Sequence, residues 1–204
     1  MFFARDEEGE GYIEWVRSDE GMETISVDDE TLVARIAHED EEALAVLYER
    51  HQASLVAYLA LFTRDRGVID EAIQDAMLGI WKGASRFSGR STARSWMFAI
   101  ARRRLLDLLR RKRLPASTDD ALMNHPDPGP TPERVAMENA AEAEMLAAIR
   151  RLSRVHQEVL ILTFAHDLSY EELASVLDVP LGTIKSRLSN ARKALRQQLG
   201  TKTP

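Results

Sequence analysis

The run Ser169-Tyr-Glu-Glu-Leu-Ala-Ser-Val-Leu177, Asp178-Val-Pro180, Leu181-Gly-Thr-Ile-Lys-Ser-Arg-Leu-Ser-Asn-Ala-Arg-Lys-Ala-Leu195 decides the fold. Wound as a helix, its last part puts Ile184, Leu188, Ala191 and Leu195 on one face, and Leu199 continues the line. Lys185, Ser186, Ser189, Lys193 and Arg196 point the other way, and no acid follows Pro180. Upstream, Ser169 is expected to cap a shorter helix, with Glu172 three residues on completing a capping box. Small Ala174 lets a second helix approach closely, and Pro180 cannot continue the first one. Two short helices at an angle, the second basic and amphipathic, describe a helix-turn-helix with its recognition helix. Lys185, Ser186, Ser189 and Asn190 lie at the end of that helix which reaches base edges in a major groove. Arg187, Arg192, Lys193 and Arg196 are better placed for phosphates, which add affinity without sequence information. This points to DNA binding.

The net charge of −6 seems wrong for that partner until it is mapped. Residues 1–30 hold eleven Asp and Glu against only Arg5 and Arg17. Between Lys82 and Arg113, Asp107 stands alone among eleven Lys and Arg. Separated charge makes local fields of either sign, and a polyanion meets the basic ones. The chain has no cysteine, which excludes disulfides and thiolate metal sites. The five histidines lack metal-ligand spacing, and no phosphate-cradling glycine loop occurs, so no catalytic, metal or cofactor site is expected. With neither a signal-peptide pattern nor an apolar run of spanning length, the chain is expected to work in the cytoplasm.

Helical periodicity recurs throughout the 204 residues, whereas no alternating β-branched run survives inspection. The expected fold is all-α, with two small helical domains joined by a flexible Pro-rich linker. Residues 1–27 are expected to be an acidic, disordered extension, and Met22 is a second candidate for the first residue. The first domain spans 28–113. Its helices cover 31–37, 41–62, 70–84 and 93–113, with Leu44 and Tyr48 among the residues at helical spacing and Met77 and Trp81 among those expected to be buried. The linker, 114–132, carries Pro115, Pro126, Pro128, Pro130 and Pro132 and cannot bury a core. The second domain spans 133–200, with helices over 133–152 and 155–165 ahead of the helix-turn-helix.

The helix over 93–113 has an apolar stripe of Met97, Ala101, Leu105 and Leu108. Trp96, Arg103, Asp107, Arg110 and Arg111 lie opposite. One reading is a solvated basic face with a half-buried tryptophan. The other is a nucleic-acid groove, where charge tracks the backbone and aromatic rings stack on unpaired bases. A polar strip of Glu71, Gln74 and Asp75 runs beside the apolar face of the helix over 70–84, and is either solvated or a protein-docking surface.

Two sets of three words occur in order along the chain. The first domain has Asp70-Glu-Ala-Ile-Gln-Asp-Ala-Met-Leu-Gly-Ile-Trp81, Ser95-Trp-Met-Phe-Ala-Ile-Ala-Arg102 and Asp107-Leu-Leu-Arg-Arg111. The second has Ala148-Ile-Arg-Arg-Leu152, Leu168-Ser-Tyr-Glu-Glu-Leu-Ala174 and Pro180-Leu-Gly-Thr-Ile-Lys-Ser-Arg187. Over about 28–199 the chain resembles the sigma-70 family, and within it the extracytoplasmic-function (ECF) group of RNA polymerase sigma factors. The resemblance implies a transcription initiation factor, not an enzyme, that binds core RNA polymerase and selects and melts promoters. Region 2 would dock Glu71, Gln74 and Asp75 on the β′ clamp coiled coil. It would melt the −10 element with Arg90, Trp96, Arg103, Asp107, Arg110 and Arg111. Region 4 would grip the −35 element through Thr183, Lys185, Ser186, Arg187, Ser189, Asn190, Arg192 and Lys193, and would touch the β flap. The linker would thread toward the active-site channel, and an anti-sigma factor would hold the protein inactive. Arg103 stands where many relatives carry Asn, and Ser189 and Asn190 replace larger or basic residues, so no promoter consensus is transferred. Two rivals stay open on the residues alone: a stand-alone helix-turn-helix regulator, and an interaction module that mimics sigma surfaces.

Overall fold

The computed structural model describes residues 3–5, 12–18, 21–112 and 140–200, with the backbone alone over 3–26 and 140–143. The chain divides into two units, Met1–Leu109 and Arg110–Pro204. The expected linker, 114–132, lies outside the described residues.

The first unit carries α1 (Asp29–Ile36), α2 (Glu41–Leu59), α3 (Arg66–Gly83) and all but the last three residues of α4 (Ala93–Lys112), with a 3-10 turn over Ala84–Arg86. One device starts three of them. Asp28, Asp40 and Asp65 each accept a hydrogen bond from the backbone N–H three residues on, at Thr31 (2.7 Å), Ala43 (3.0 Å) and Val68 (3.2 Å). Each side chain thereby satisfies one of the four amides that a helix start leaves unpaired. Asp65 is why α3 begins four residues earlier than periodicity suggests. The core gathers Leu32, Ile36, Leu47, Leu55, Ile80 and Leu105, all buried. Tyr58 is buried between Phe62 and Phe98, with ring centroids at 5.6 and 5.3 Å, which ties α2 to α4.

Two departures from the sequence reading stand out. Leu44, Tyr48, Met77 and Trp81 are only half-buried; they line a groove between α2 and α3. Periodicity marks an apolar face but does not say whether another element covers it. Within the acidic segment the backbone forms three short antiparallel strands, β1 (Phe3–Arg5), β2 (Tyr12–Ser18) and β3 (Gly21–Ser26), in the order β1-β2-β3. Ile13 pairs with Ser26, Trp15 with Thr24 and Ser18 with Gly21. The aromatic and β-branched pairs Tyr12-Ile13 and Trp15-Val16 suit a strand, but interleaved acids hide the alternation. The two domains are all-α, and this small sheet precedes the first.

The second unit holds α5 (Ala140–Arg150), α6 (Arg154–Phe164), α7 (Tyr170–Leu177) and α8 (Leu181–Gly200). The first seven residues of the helix expected from 133 lie outside the described residues. Buried Gln157 on α6 donates from Nε2 to the carbonyls of Arg150 (2.9 Å) and Leu152 (2.8 Å), which closes the end of α5. α7 starts with the expected capping box: Ser169 Oγ accepts from Glu172 N–H, and Glu172 Oε2 accepts from Ser169 N–H. Leu173, Val176 and Leu177 of α7 are buried, as are Ile184, Leu188 and Ala191 of the α8 packed on it.

α7 ends at Asp178, whose φ of 53° and ψ of 51° are left-handed. The position is usually glycine's, because any Cβ there crowds the following carbonyl. An Asp178→Gly variant is therefore expected to gain about 0.5–1 kcal/mol despite glycine's more flexible unfolded chain, and Asp178→Val to lose stability. Urea denaturation of both variants checks the pair of signs.

Candidate nucleic-acid and partner surfaces

α8 lies on the second unit through Ile184, Leu188 and Ala191, so the residues between them are turned outward. Lys185, Ser186, Ser189, Asn190, Arg192, Lys193 and Arg196 are all exposed, whereas Thr183 and Arg187 are half-buried at the edge. The Thr183 and Ile184 amides both reach back to the Pro180 carbonyl, which sets the first turn. Ser186 Oγ donates to the Thr183 carbonyl at 2.9 Å, so at a base edge this hydroxyl is left as an acceptor. The arrangement offers cations and small polar groups along one helical face, with no carboxylate on the helix to oppose a phosphate.

On the first unit, the basic face sits on α4. Thr92 caps it, its hydroxyl accepting from Ser95 N–H at 3.2 Å. The Ala93 amide is satisfied from another helix, by Glu30 Oε1 of α1 at 2.8 Å. Three consecutive acids at the start of α1 thus serve three helices. Asp28 caps α1, and Glu30 caps α4. Between them, Asp29 binds α2, with Oδ1 2.6 Å from Arg50 Nη1 and Oδ2 2.6 Å from His51 Nε2. Arg50 Nη2 also donates to the Val27 carbonyl at 2.8 Å. Burial works against the charge on Asp29, but the bonds and charges of His51 and then Arg50 outweigh it and hold its carboxyl below the ordinary value. The sequence gives no local signal for this cluster, because its partners lie 21 and 22 residues away.

Arg90, Arg103, Arg110 and Arg111 are exposed and Asp107 is half-buried. Trp96 is half-buried, with its ring centroid 5.0 Å from that of Phe87. A Cβ at Gly83 would stand 3.1 Å from Trp96 Cζ2, so the indole leans on the end of α3. The two readings of this tryptophan meet in one geometry: part of the ring is packed, and part remains on the surface beside the 88–92 loop. Gly89 turns that loop at a φ of 67°.

The third surface is the groove between α2 and α3, about 980 Å³, lined by Leu44, Tyr48, Ile73, Gln74, Met77 and Trp81 among others. Gln74 belongs to its wall. Glu71 and Asp75 lie outside the lining, exposed and half-buried respectively. Leu78, on the rim, is 56% exposed, large for a leucine. An apolar trough with a polar edge suits an amphipathic helix from another protein. Among the described residues no cluster of His, Cys, Asp and Glu could hold a metal, and no helix is long and apolar enough to cross a membrane.

Family comparison matches the two domains separately. The model for Sigma-70 region 2 covers residues 47–114 and that for Sigma-70, region 4 covers 142–195. The chain is 34% identical over 163 residues to the ECF RNA polymerase sigma factor RpoE of Cereibacter sphaeroides, spanning 79% of this chain and 89% of that one. It is 33% identical over 178 residues to the ECF RNA polymerase sigma factor SigC of Mycobacterium tuberculosis, covering 85% and 94%. Among solved structures, CnrH in complex with the cytosolic domain of CnrY superposes with a TM-score of 0.58 at 22% identity, over 86% of this chain and 99% of that one. The sigma factor RpoE of Bartonella quintana, in complex with the anti-sigma factor NepR, gives 0.54 at 24% identity, over 74% and 92%. With both conserved domains matched in order and relatives aligned across most of their length, the chain belongs to the ECF group of the sigma-70 family of RNA polymerase sigma factors.

Proposed function

We propose that the protein binds core RNA polymerase, directs it to promoters through their −10 and −35 elements, and opens the DNA there. The observation that carries this is the pair of basic helical faces, α4 in region 2 and α8 in region 4, together with the apolar α2–α3 groove of region 2. Two weak grips on DNA gain affinity when both ride on one scaffold. In this reading the Gln74 edge of the groove, with Glu71 and Asp75, takes the β′ clamp coiled coil, and region 4 also touches the β flap. Arg90, Trp96, Arg103, Asp107, Arg110 and Arg111 hold the melted −10 strand, a flipped base lodging near residues 88–95. Thr183, Lys185, Ser186, Arg187, Ser189, Asn190, Arg192 and Lys193 read and grip the −35 element. The protein works in the cytoplasm without a cofactor, and an anti-sigma factor holds it inactive; the solved complex of RpoE with the anti-sigma factor NepR, similar in fold, supports this.

Run-off transcription with purified core polymerase on a genomic promoter library tests the proposal. Discrete start sites that appear only when the protein is added support it. DNA footprints by the protein alone, with no initiation, would leave a stand-alone helix-turn-helix regulator. Lys185→Ala is expected to lower affinity for the upstream element about 10-fold or more, the loss of one good base contact. Core-polymerase binding stays unchanged, and equal loss of both, measured by fluorescence anisotropy, would sink the assignment of α8.

A further inference from the structure

Phe164, the last residue of α6, is 67% exposed. For a phenylalanine this is a poor use of apolar surface unless something lies on it. Arg192 does: its Cζ stands 5.7 Å from the Phe164 ring centroid. Arg192 Nη2 is also 3.5 Å from the Tyr170 hydroxyl, at the first residue of α7. The end of α6, the start of α7 and the middle of α8 therefore converge on one guanidinium. Arg192 follows Ser189 by three residues and Lys185 by seven, which places it on the same strip of α8, one and two turns further along.

We propose that Phe164 and Tyr170 are positioning residues, which hold the Arg192 guanidinium ready for a DNA phosphate at the edge of the base-reading strip. The inference rests on the reading of α8 as a DNA-contacting helix and assigns a role to two side chains off that helix. A long arginine loses much rotamer freedom when it grips a phosphate. A ring face that attracts the cation without neutralising it removes that freedom in advance. A carboxylate in the same place would also order the guanidinium, but it would cancel the charge that the phosphate needs. The Tyr170 hydroxyl steers without charge, for the same reason.

The test is binding of the full chain to a fluorescent 30-base-pair duplex of random sequence, on which only backbone contacts count, over a range of salt concentrations. Phe164→Leu keeps an apolar side chain and removes the ring face. It is expected to weaken binding about two- to fivefold at low salt, the size of an exposed cation–π contact, and to flatten the salt dependence. Arg192→Ala is expected to flatten it by about one phosphate contact, near 0.9 in slope. Phe164→Leu should add nothing in the Arg192→Ala background, and Phe164→Tyr should bind as the parent does. Equal effects of Phe164→Leu with and without Arg192, or unchanged binding, overturn the inference. So does a weaker Phe164→Leu variant whose salt slope is the parent's. If Arg192→Ala and Lys193→Ala both bind as the parent does, the DNA reading of α8 falls first and this inference falls with it.

Discussion

A Gln74→Arg, Asp75→Arg variant is expected to lose core RNA polymerase binding by about 100-fold or more, with its thermal midpoint close to the parent's. Both residues sit on α3 at the edge of an apolar groove, Gln74 exposed on its wall and Asp75 half-buried beside it. Neither contributes to the buried core. When the proposed partner helix enters, two new cations at the groove are desolvated without a compensating charge, which costs several kcal/mol. Size-exclusion co-elution with core enzyme reads the loss, and circular dichroism reads the fold. Normal co-elution would move the docking surface elsewhere. A variant that loses both binding and fold would be uninformative by itself, so Leu78→Ser, on the same rim and 56% exposed, provides a second disruption without new charge.

The second large effect belongs to stability. Asp29→Ala is expected to cost about 3 kcal/mol or more, because it strands Arg50 and buried His51 without the carboxylate that both contact at 2.6 Å. That is a sizeable part of what holds a domain of this kind together. The pH dependence follows from the depressed Asp29 carboxyl. A carboxyl whose folded value lies below its unfolded one stabilises the fold fully above the unfolded value, and the contribution is lost as pH falls through the folded one. Asp28, lowered by its bond to Thr31, and Asp40, lowered first by the Ala43 amide, act in the same direction. Stability should therefore fall steeply below about pH 4 in the parent and more gently in Asp29→Ala. Urea titrations by circular dichroism between about pH 3 and pH 7 measure both slopes. Parallel slopes would remove Asp29 from the account.

What the sequence tells, and what it withholds, follows from range. The helix-turn-helix is legible because every signal is local: Ser169 and Glu172 cap within one turn, Pro180 breaks the chain, and Ile184, Leu188 and Ala191 repeat at helical spacing. The basic face of α4 is legible for the same reason. The Asp29 cluster and the Glu30 cap on Ala93 are not, since their partners are set by the tertiary fold and no spacing rule connects them. Leu44, Tyr48, Met77 and Trp81 show a different limit. Their periodicity is that of a core, and only the packed structure reveals that, among the described residues, they are left half-buried along a groove. The strands over 3–26 escape notice because acidic residues break up their aromatic and β-branched pairs. Trp96 was legible as an aromatic beside a basic loop, but its lean on Phe87 and Gly83 was not.

The Glu30 cap also redraws the border of a cooperative unit. The family match to region 2 opens at residue 47, yet the amide that starts α4 is held by a side chain at residue 30, and α2 is pinned by its neighbour at 29. A fragment cut at the family boundary would retain the basic helix in sequence and lose the carboxylate that seats its first turn. Hydrogen exchange at the Ala93 amide consequently reports on the opening of α1, 63 residues upstream. Fraying at one end of the domain becomes visible at the face proposed to meet DNA.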